Sequence, residues 1–393
     1  MSPAAVTAVP YRNYARWFEI ALMCASLVPF IMMMMFAFRY HDVMDQKTLR
    51  MFLQYVILIN IIHVPATLYL FSDRHIRAMA LQFPFRLIAV PLAIIVLGTA
   101  VYTTLASSSD LTSQYMRWIL LLSFFYWQLW HFGMQGYGVV SFISIASRRP
   151  ARDKRSALFE RRTVMAGAVF GMLAFYQNVH PRQKLKAFQD IDYTIINDIS
   201  SMIYLIGMVG CYAVSLAAIV YVIRNYQRFT FSSAVIYLVS VCFFLPDYLT
   251  FIIPNITPPG AAISYLNFSI VHGLQYMVFL AAHALGSSHN AYSNPRSDTL
   301  KTVLAVVMPL LMFAILGLYA AKYISGHGYL RDVGRFLGDM LGSERVSIHA
   351  GGFAMALASS HFWWDQYFWK LSNPSQREWI FSRYKFVIPP PRA

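Results

Sequence analysis

Long apolar segments recur along the chain, and each gives way to a short stretch of polar or basic residues. A helix of about 20 apolar residues crosses a bilayer of about 30 Å. The pattern therefore predicts an all-α fold, a polytopic transmembrane helical bundle of about ten spans, forming a single integral-membrane domain over residues 1–393. The predicted spans run approximately 16–38, 51–72, 86–107, 117–147, 163–180, 195–223, 230–253, 263–285, 302–322 and 346–370.

Composition agrees with this fold class. Apolar residues make up 58% of the chain and charged residues 12%, which excludes an ordinary soluble domain. The N-terminal residues do not combine a basic start with a short apolar core, so we expect no removable signal peptide. The three cysteines, Cys24, Cys211 and Cys242, fall in apolar segments without CxxC spacing. This arrangement argues against both a disulfide framework and a thiolate metal site.

The basic residues predict the orientation. Lys and Arg accumulate on cytoplasmic loops, and the densest group, SRRPARDKRSALFERR, carries seven of them directly after the fourth span. Placing that loop inside puts both termini in the cytoplasm. We predict a bacterial inner (cytoplasmic) membrane location. The net charge of +15 is then mainly a topological signal with added attraction to anionic membrane lipids. No nucleic-acid partner is expected, because no basic soluble domain is present.

Four of the predicted spans contain an interior histidine: His63, His131, His272 and His361. All four spans run from outside to inside in the predicted topology. Counted from the outer ends at 1.5 Å per residue, the histidines lie within about 9 Å of one another in depth. Ionisable groups inside apolar spans are costly and usually functional. The sequence therefore predicts that imidazoles from four helices converge on one metal ion, with Asp365 as a further ligand or as the hydrogen-bond partner of a ligand.

Each histidine has a polar neighbour three or four positions away, on the same helix face. Such groups fix the tautomer of a metal-bound imidazole by accepting its second N–H. The neighbours are Asn60 for His63, Gln135 for His131, Gln275 and Tyr276 for His272, and Asp365 for His361.

Four further expectations concern residues outside this set. His283 follows His272 on nearly the same helix face and is a candidate further ligand, whereas His75 falls in a loop and is expected to be solvated. Asp247, beside Pro246, indicates a local helix break that lines a cavity, and we expect it to support the metal site, to form part of a proton path or to lie near the outer surface. Gly133, Gly136 and Gly138 are expected to allow close approach of a neighbouring helix or a flat substrate.

Imidazole and carboxylate donors without thiolate suit iron, copper or zinc, and histidines with one carboxylate are typical of non-haem Fe(II) oxygenases. Zinc hydrolysis is disfavoured because no H-E-x-x-H pattern occurs. We predict a membrane-embedded, non-haem oxygenase that depends on a metal, iron, and acts on an apolar lipid, terpenoid or carotenoid. Any electrons come from the substrate or a separate donor, since no flavin or ferredoxin module is evident. Two alternatives stay open: a transporter or proton-conducting protein that uses His and Asp, and a haem-binding protein.

The segment WHFG at 130–133, within a polytopic chain that carries scattered intramembrane histidines, resembles the Brp/Blh family of membrane carotenoid-cleaving oxygenases. The resemblance implies iron held by histidines and an apolar polyene substrate, and Met134 and Gln135 stand where an acidic residue is expected in that family. The C-terminal HFWWDQYFWK resembles a signature found in a group of uncharacterised bacterial multi-spanning proteins. The HxxxH and HxxHH boxes of membrane desaturases are absent.

Overall fold

A computed structural model describes residues 11–35, 63–64, 66–108, 110–146, 153–179, 193–242, 245, 260–290 and 344–384. These residues are helical or lie in the turns between helices, and they include no β-strand. The all-α fold class is confirmed for them. The predicted ninth span, 302–322, and most of the second lie outside the described residues.

Ten α-helices are present in the described ranges, and we number them in chain order. They are α1 (Tyr11–Met35), α2 (Arg74–Gln82), α3 (Val90–Ser107), α4 (Leu111–Ala146), α5 (Lys154–Val179), α6 (Tyr193–Arg224), α7 (Phe231–Val241), α8 (Gly260–Asn290), α9 (Glu344–Phe368) and α10 (Pro374–Arg383). A 3₁₀ segment, Thr67–Ser72, precedes α2, and a π-helical turn, Phe85–Ala89, leads into α3.

Helices occur at eight of the ten predicted spans, although their ends differ. The clearest departure is in the second span, 51–72. Its described end is the 3₁₀ segment, which stops at Asp73 in extended conformation. Asp73 then accepts a hydrogen bond from the backbone N–H of His75 (2.8 Å) and so caps α2. The short helices α2 and α10 were not predicted.

Two of the described helices are long and apolar enough to cross a membrane: Phe85–Ser107, which joins the π-helical turn to α3, and Ser201–Arg224 within α6. The second presents a row of exposed apolar side chains along its length: Met202, Leu205, Ile206, Val209, Leu216, Val220 and Ile223. A row of this length on the outside of the bundle is typical of a surface that contacts lipid. The other predicted spans, and the orientation, stay predictions.

The helix α9, which carries His361 and Asp365, packs against α3. Small residues allow a close approach here: a Cβ on Gly98 would lie 3.1 Å from Ala356 Cβ, and one on Gly352 would lie 3.1 Å from Thr99 O. Elsewhere α5 packs along α6, and α1 packs against α8. The main apolar core forms between these elements and includes Leu22, Ile143, Tyr237, Leu280 and Phe368.

Two indole groups attach α9 to the π-helical turn. Pro91 has no N–H, so carbonyl oxygens four and five positions before it lack a helical donor. Trp364 Nε1 donates to Leu87 O (2.9 Å), and Trp363 Nε1 donates to Arg86 O (2.8 Å). Both bonds fix the C-terminal half of α9, which carries the functional side chains.

The C-terminal helix α10 closes one end of the bundle. Asn373 caps its N-terminus by accepting from Ser375 N (3.0 Å), and Pro374 occupies the first helical position, where its missing N–H costs nothing. Trp379 and Ile380 are buried. Tyr384, directly after the helix, is also buried and donates from its hydroxyl to Phe279 O on α8 (2.7 Å).

Candidate metal centre

Four segments bring five candidate ligands together. His63 lies in a short helical stretch before the 3₁₀ segment, His131 on α4, His272 on α8, and His361 and Asp365 on α9. Each of these side chains is at least nine-tenths buried. Since the histidines are far apart in sequence, only the tertiary fold brings them together.

The four imidazoles contact one another directly. His63 and His272 are closest, with ring centroids 4.5 Å apart and their Nε2 atoms 3.0 Å apart. The His361 ring lies 4.7 Å from that of His63 and 5.4 Å from that of His131, and His131 and His272 are 4.8 Å apart. The predicted convergence of four histidines is therefore present in the fold.

Asp365 faces two of the imidazoles with one oxygen. Its Oδ2 lies 3.4 Å from His361 Nε2 and 3.6 Å from His131 Nε2. Neither nitrogen makes a hydrogen bond. Buried polar atoms normally pair with one another, so two unpaired imidazole nitrogens around one carboxylate oxygen indicate a site suited to a cation.

The donor separations fit a shared transition-metal ion. With metal–nitrogen distances of about 2.1 Å, neighbouring ligands lie about 3.0 Å apart at right angles and about 3.4 Å apart at the tetrahedral angle. The 3.0 Å, 3.4 Å and 3.6 Å separations above are close to these values. Two overlapping groups have donor atoms within 4.8 Å of one another: His63, His272 and His361, and His131, His361 and Asp365.

His361 belongs to both groups, which makes them parts of a single centre. Its Nδ1 lies 2.5 Å from Thr67 Oγ1 and is therefore engaged away from the cluster. Only Nε2 is left to face the other donors, and one nitrogen binds one ion. The geometry thus describes two three-donor groups that share His361 Nε2, with nitrogen and oxygen donors throughout.

Hydrogen bonds hold the centre from the side of α8. Tyr276 OH donates to Asp365 Oδ1 (3.1 Å) and lies 2.8 Å from Thr67 Oγ1. Tyr276 had been predicted as a neighbour of His272 but serves Asp365 instead. Thr67 was not predicted at all. Its only sequence signal is its position four residues after His63, and the 3₁₀ geometry that directs it to His361 cannot be foreseen from spacing.

The two glutamines support the backbone of α8 and not the imidazole rings. Gln135 Nε2 donates to the carbonyl oxygen of His272 (3.0 Å) and to Gln275 Oε1 (3.4 Å). Gln275 Nε2 donates to Ser26 Oγ on α1 (2.8 Å). This chain joins α1, α4 and α8 at the level of the histidines and so fixes the height of His272 relative to His131.

Aromatic side chains border the imidazoles. The Phe362 ring lies 4.6 Å from that of His131, and the Phe132 ring lies 4.7 Å from that of His272. Trp127 packs against Phe362 at 5.7 Å. The surroundings of the centre on this side are therefore apolar, which strengthens electrostatic interactions within it.

His283 does not join the metal centre. It lies three helical turns further along α8, where its Nε2 is 3.4 Å from Asp73 Oδ2, and the same oxygen lies 2.7 Å from Arg383 NH2 on α10. Burial acts to raise the pKa of Asp73, but the hydrogen bond from His283, the Arg383 charge and the His75 N–H together hold that pKa well below its ordinary value.

His75 corrects another expectation. It is partly buried and stacks on Trp379 of α10 at a centroid distance of 5.6 Å with nearly parallel rings. Burial lowers the pKa of His75, with Asp73 opposing the shift. The histidine that was expected in solvent therefore belongs to the contact between α2 and α10. Asn60 and Asp247, predicted to support the site, lie outside the described residues.

No family model matches the chain, and neither curated proteins nor solved structures contain a match to it.

Proposed function

We propose that this protein is a membrane-embedded, non-haem metal-dependent oxygenase, that the metal is iron, and that the substrate is an apolar lipid, terpenoid or carotenoid. The proposal includes the bundle of about ten spans with both termini in the cytoplasm, in a bacterial inner membrane. The observation that carries it is the pair of buried donor groups, His63 with His272 and His361, and His131 with His361 and Asp365, which overlap at His361.

The donor set favours a redox metal over a purely structural one. Imidazoles with one carboxylate and no thiolate suit iron, and such sites leave positions open for oxygen and substrate. Iron held by these residues would pass electrons to molecular oxygen, and the substrate or a separate donor would replace them. This chain's own residues hold the ion and exclude water, and their aromatic neighbours Phe132 and Phe362 provide apolar surface for a substrate.

Haem fits the geometry less well. Two axial ligands on opposite faces of one iron lie about 4 Å apart, twice a metal–nitrogen distance of about 2 Å. The Nε2 atoms of His63 and His272 are only 3.0 Å apart. The remaining imidazole rings are 4.7–5.4 Å from their neighbours, which leaves no room for a porphyrin between them.

An apolar substrate follows from the surroundings of the centre. Two helices of the bundle are apolar enough to cross a membrane, so a molecule dissolved in the bilayer can reach the protein without entering water. The resemblance of WHFG to the Brp/Blh family adds carotenoids to the substrate classes worth testing first. Electrons not supplied by the substrate require a separate donor.

The first experiment is metal analysis of the full-length protein purified in detergent. We expect close to one iron per chain, no Soret band in the absorbance spectrum, and oxygen uptake that depends on an added polyene such as β-carotene. The double variant His131→Ala, His361→Ala should lose the iron. His75→Ala is the matched control, because it removes a histidine outside the centre and should keep the iron.

A transporter or proton conductor is the competing function, because intramembrane His and Asp also serve such proteins. It predicts pH changes in protein-containing vesicles under a membrane potential, with no stoichiometric metal. A metal-free preparation that conducts protons would overturn the oxygenase proposal. A Soret band that is present in wild type and lost in the double variant would show that the histidines bind haem and not a non-haem metal.

A further inference from the structure

A closed circuit of polar contacts joins His361 to Asp365 by a second route, through Thr67 and Tyr276. His361 Nδ1 lies 2.5 Å from Thr67 Oγ1, Thr67 Oγ1 lies 2.8 Å from Tyr276 OH, and Tyr276 OH lies 3.1 Å from Asp365 Oδ1. On the other side, Asp365 Oδ2 lies 3.4 Å from His361 Nε2. Thr67 and Tyr276 are as deeply buried as the histidines.

With Asp365 ionised, the state in which a carboxylate binds a cation, counting protons fixes the direction of every bond in this circuit. A carboxylate can only accept, so Tyr276 gives its single hydroxyl proton to Asp365. The tyrosine oxygen must then receive the Thr67 proton. Thr67 has no second proton to give, so its oxygen can only accept from His361. The Nδ1 atom of His361 therefore carries the hydrogen, and Nε2 carries the lone pair.

We infer that Thr67 and Tyr276 are positioning residues that hold His361 as the Nδ1–H tautomer, so that its Nε2 is the nitrogen that binds a divalent transition metal. This inference rests on the metal centre of the proposed function and not on the oxygenase reaction. Hydrogen bonds of this kind to ligand imidazoles typically contribute 10- to 100-fold in metal affinity.

The surrounding geometry agrees with the inferred tautomer. His361 Nε2 makes no hydrogen bond and lies beside Asp365 Oδ2, as a lone pair should when an ion is to bind between them. Beside an ionised Asp365, an Nε2–H tautomer would leave the three contacts of the circuit with only the two hydroxyl protons of Thr67 and Tyr276. In addition, the i,i+4 spacing on α9 turns both ends of the circuit toward the same point.

The chain offers a matched control elsewhere in the bundle. Thr163 Oγ1 on α5 lies 2.7 Å from Tyr237 OH on α7, and both side chains are buried. This pair has the same chemistry and the same burial, but it lies apart from the histidines. Loss of its hydroxyl groups should perturb packing to a similar extent without affecting the metal.

The test measures metal affinity and tautomer separately. Calorimetric Co²⁺ titration of metal-stripped, full-length protein in detergent should show Thr67→Val and Tyr276→Phe binding about 10- to 100-fold more weakly than wild type. Thr67→Ser keeps the hydroxyl and should bind within about threefold of wild type. Thr163→Val and Tyr237→Phe should also bind within about threefold.

Nitrogen-15 NMR of histidine-labelled, metal-free protein reads the tautomer directly. The signals assigned through His361→Gln should show an Nδ1–H imidazole in wild type and a shift toward Nε2–H in Thr67→Val. Wild-type His361 found as Nε2–H would overturn the inference, as would Thr67→Val with unchanged affinity and tautomer. If wild type binds no Co²⁺, the proposed function fails, while the NMR result still decides the tautomer.

Discussion

At the scale of single residues, Asp365 has different tasks for its two oxygens. Oδ1 accepts from Tyr276, and Oδ2 faces the imidazoles of His131 and His361. An amide keeps the size of the side chain and can still accept from Tyr276, but it carries no negative charge. The centre therefore separates the structural role of this residue from its role as a metal ligand.

We expect Asp365→Asn to fold as wild type and to bind Fe²⁺ or Co²⁺ at least about tenfold more weakly. Metal content after dialysis and calorimetric titration check the result, and thermal unfolding checks the fold. Asp110→Asn is the control, because Asp110 is exposed in the turn before α4. Unchanged affinity in Asp365→Asn would show that the carboxylate is not a ligand.

Asp73 gives a prediction about pH. Its pKa is lowered in the folded protein despite burial, because His283 and Arg383 favour the ionised form. A lowered pKa means that ionised Asp73 stabilises the fold fully above its ordinary pKa of about 4, and that this stabilisation is lost progressively as pH falls from that value through the lowered pKa of the folded protein.

Breaking a buried ion pair by removing one partner typically costs about 3 kcal/mol. We expect Arg383→Gln to lower the stability of the C-terminal helix contact by about that amount at pH 7. The difference from wild type should shrink only as pH falls below the pKa that Asp73 has in the variant, because a protonated Asp73 no longer needs a cation. Thermal unfolding across pH measures both quantities. A variant as stable as wild type at pH 7 would contradict the assigned ion pair.

At the scale of elements, sequence spacing was most informative within one helix. The four-residue interval between His361 and Asp365 places both on one face of α9, as predicted. Sequence spacing did not predict side-chain contacts for residues whose backbone is not α-helical. The 3₁₀ segment directs Thr67 to His361, and the extended Asp73 reaches His283. Neither contact follows from a periodic pattern, because both depend on where a helix stops.

The three glycines of α4 also show that spacing within one helix does not predict how closely a neighbouring helix packs. A Cβ on Gly133 would lie 2.7 Å from Ala168 Cβ, so α4 and α5 do approach closely there. A Cβ on Gly136 would make ordinary contacts at 3.5 Å, and one on Gly138 would meet nothing within 4 Å. All three were predicted to allow close approach, and the packing of α5 and α7 against α4 distinguishes them.

The attachment of α9 to the π-helical turn gives an element-scale prediction. Replacing Trp363 and Trp364 by Phe leaves the carbonyl oxygens of Arg86 and Leu87 without their indole donors. The bond to Leu87 is buried and its loss typically costs about 1 to 3 kcal/mol, whereas the bond to Arg86 is exposed and should contribute little. Adding Pro91→Ala supplies one backbone N–H to that turn and should recover part of the loss.

Thermal unfolding of the double Phe variant, with and without Pro91→Ala, measures the recovery. Trp130→Phe controls for loss of an indole, since Trp130 is exposed on α4. A triple variant no more stable than the double variant would show that the indoles do not replace the missing N–H.

At the scale of the whole molecule, composition decided the fold class, and the histidines of separate helices could be matched only by their predicted depth. Depth was enough to group His63, His131, His272 and His361, because one step along a helix is only 1.5 Å. Predicted depth did not exclude His283 from the set of candidate ligands. The contact of His283 with Asp73 places it outside the metal centre. Which residues of different helices touch depends on rotation and tilt, which hydropathy does not encode.

The proposed orientation gives the last prediction, which uses two turns of the described chain. Asp110, between α3 and α4, is predicted to lie outside, and Gln227, between α6 and α7, inside; both side chains are exposed. After replacement of Cys24, Cys211 and Cys242 by Ala, a membrane-impermeant maleimide should label Asp110→Cys in cells whose inner membrane is intact. Gln227→Cys should react only after that membrane is permeabilised. The opposite pattern would invert the topology, and the depth argument would survive because inversion keeps the four histidines level. Labelling of both sites in intact cells would require an even number of spans between them instead of the three predicted, and would overturn the predicted topology.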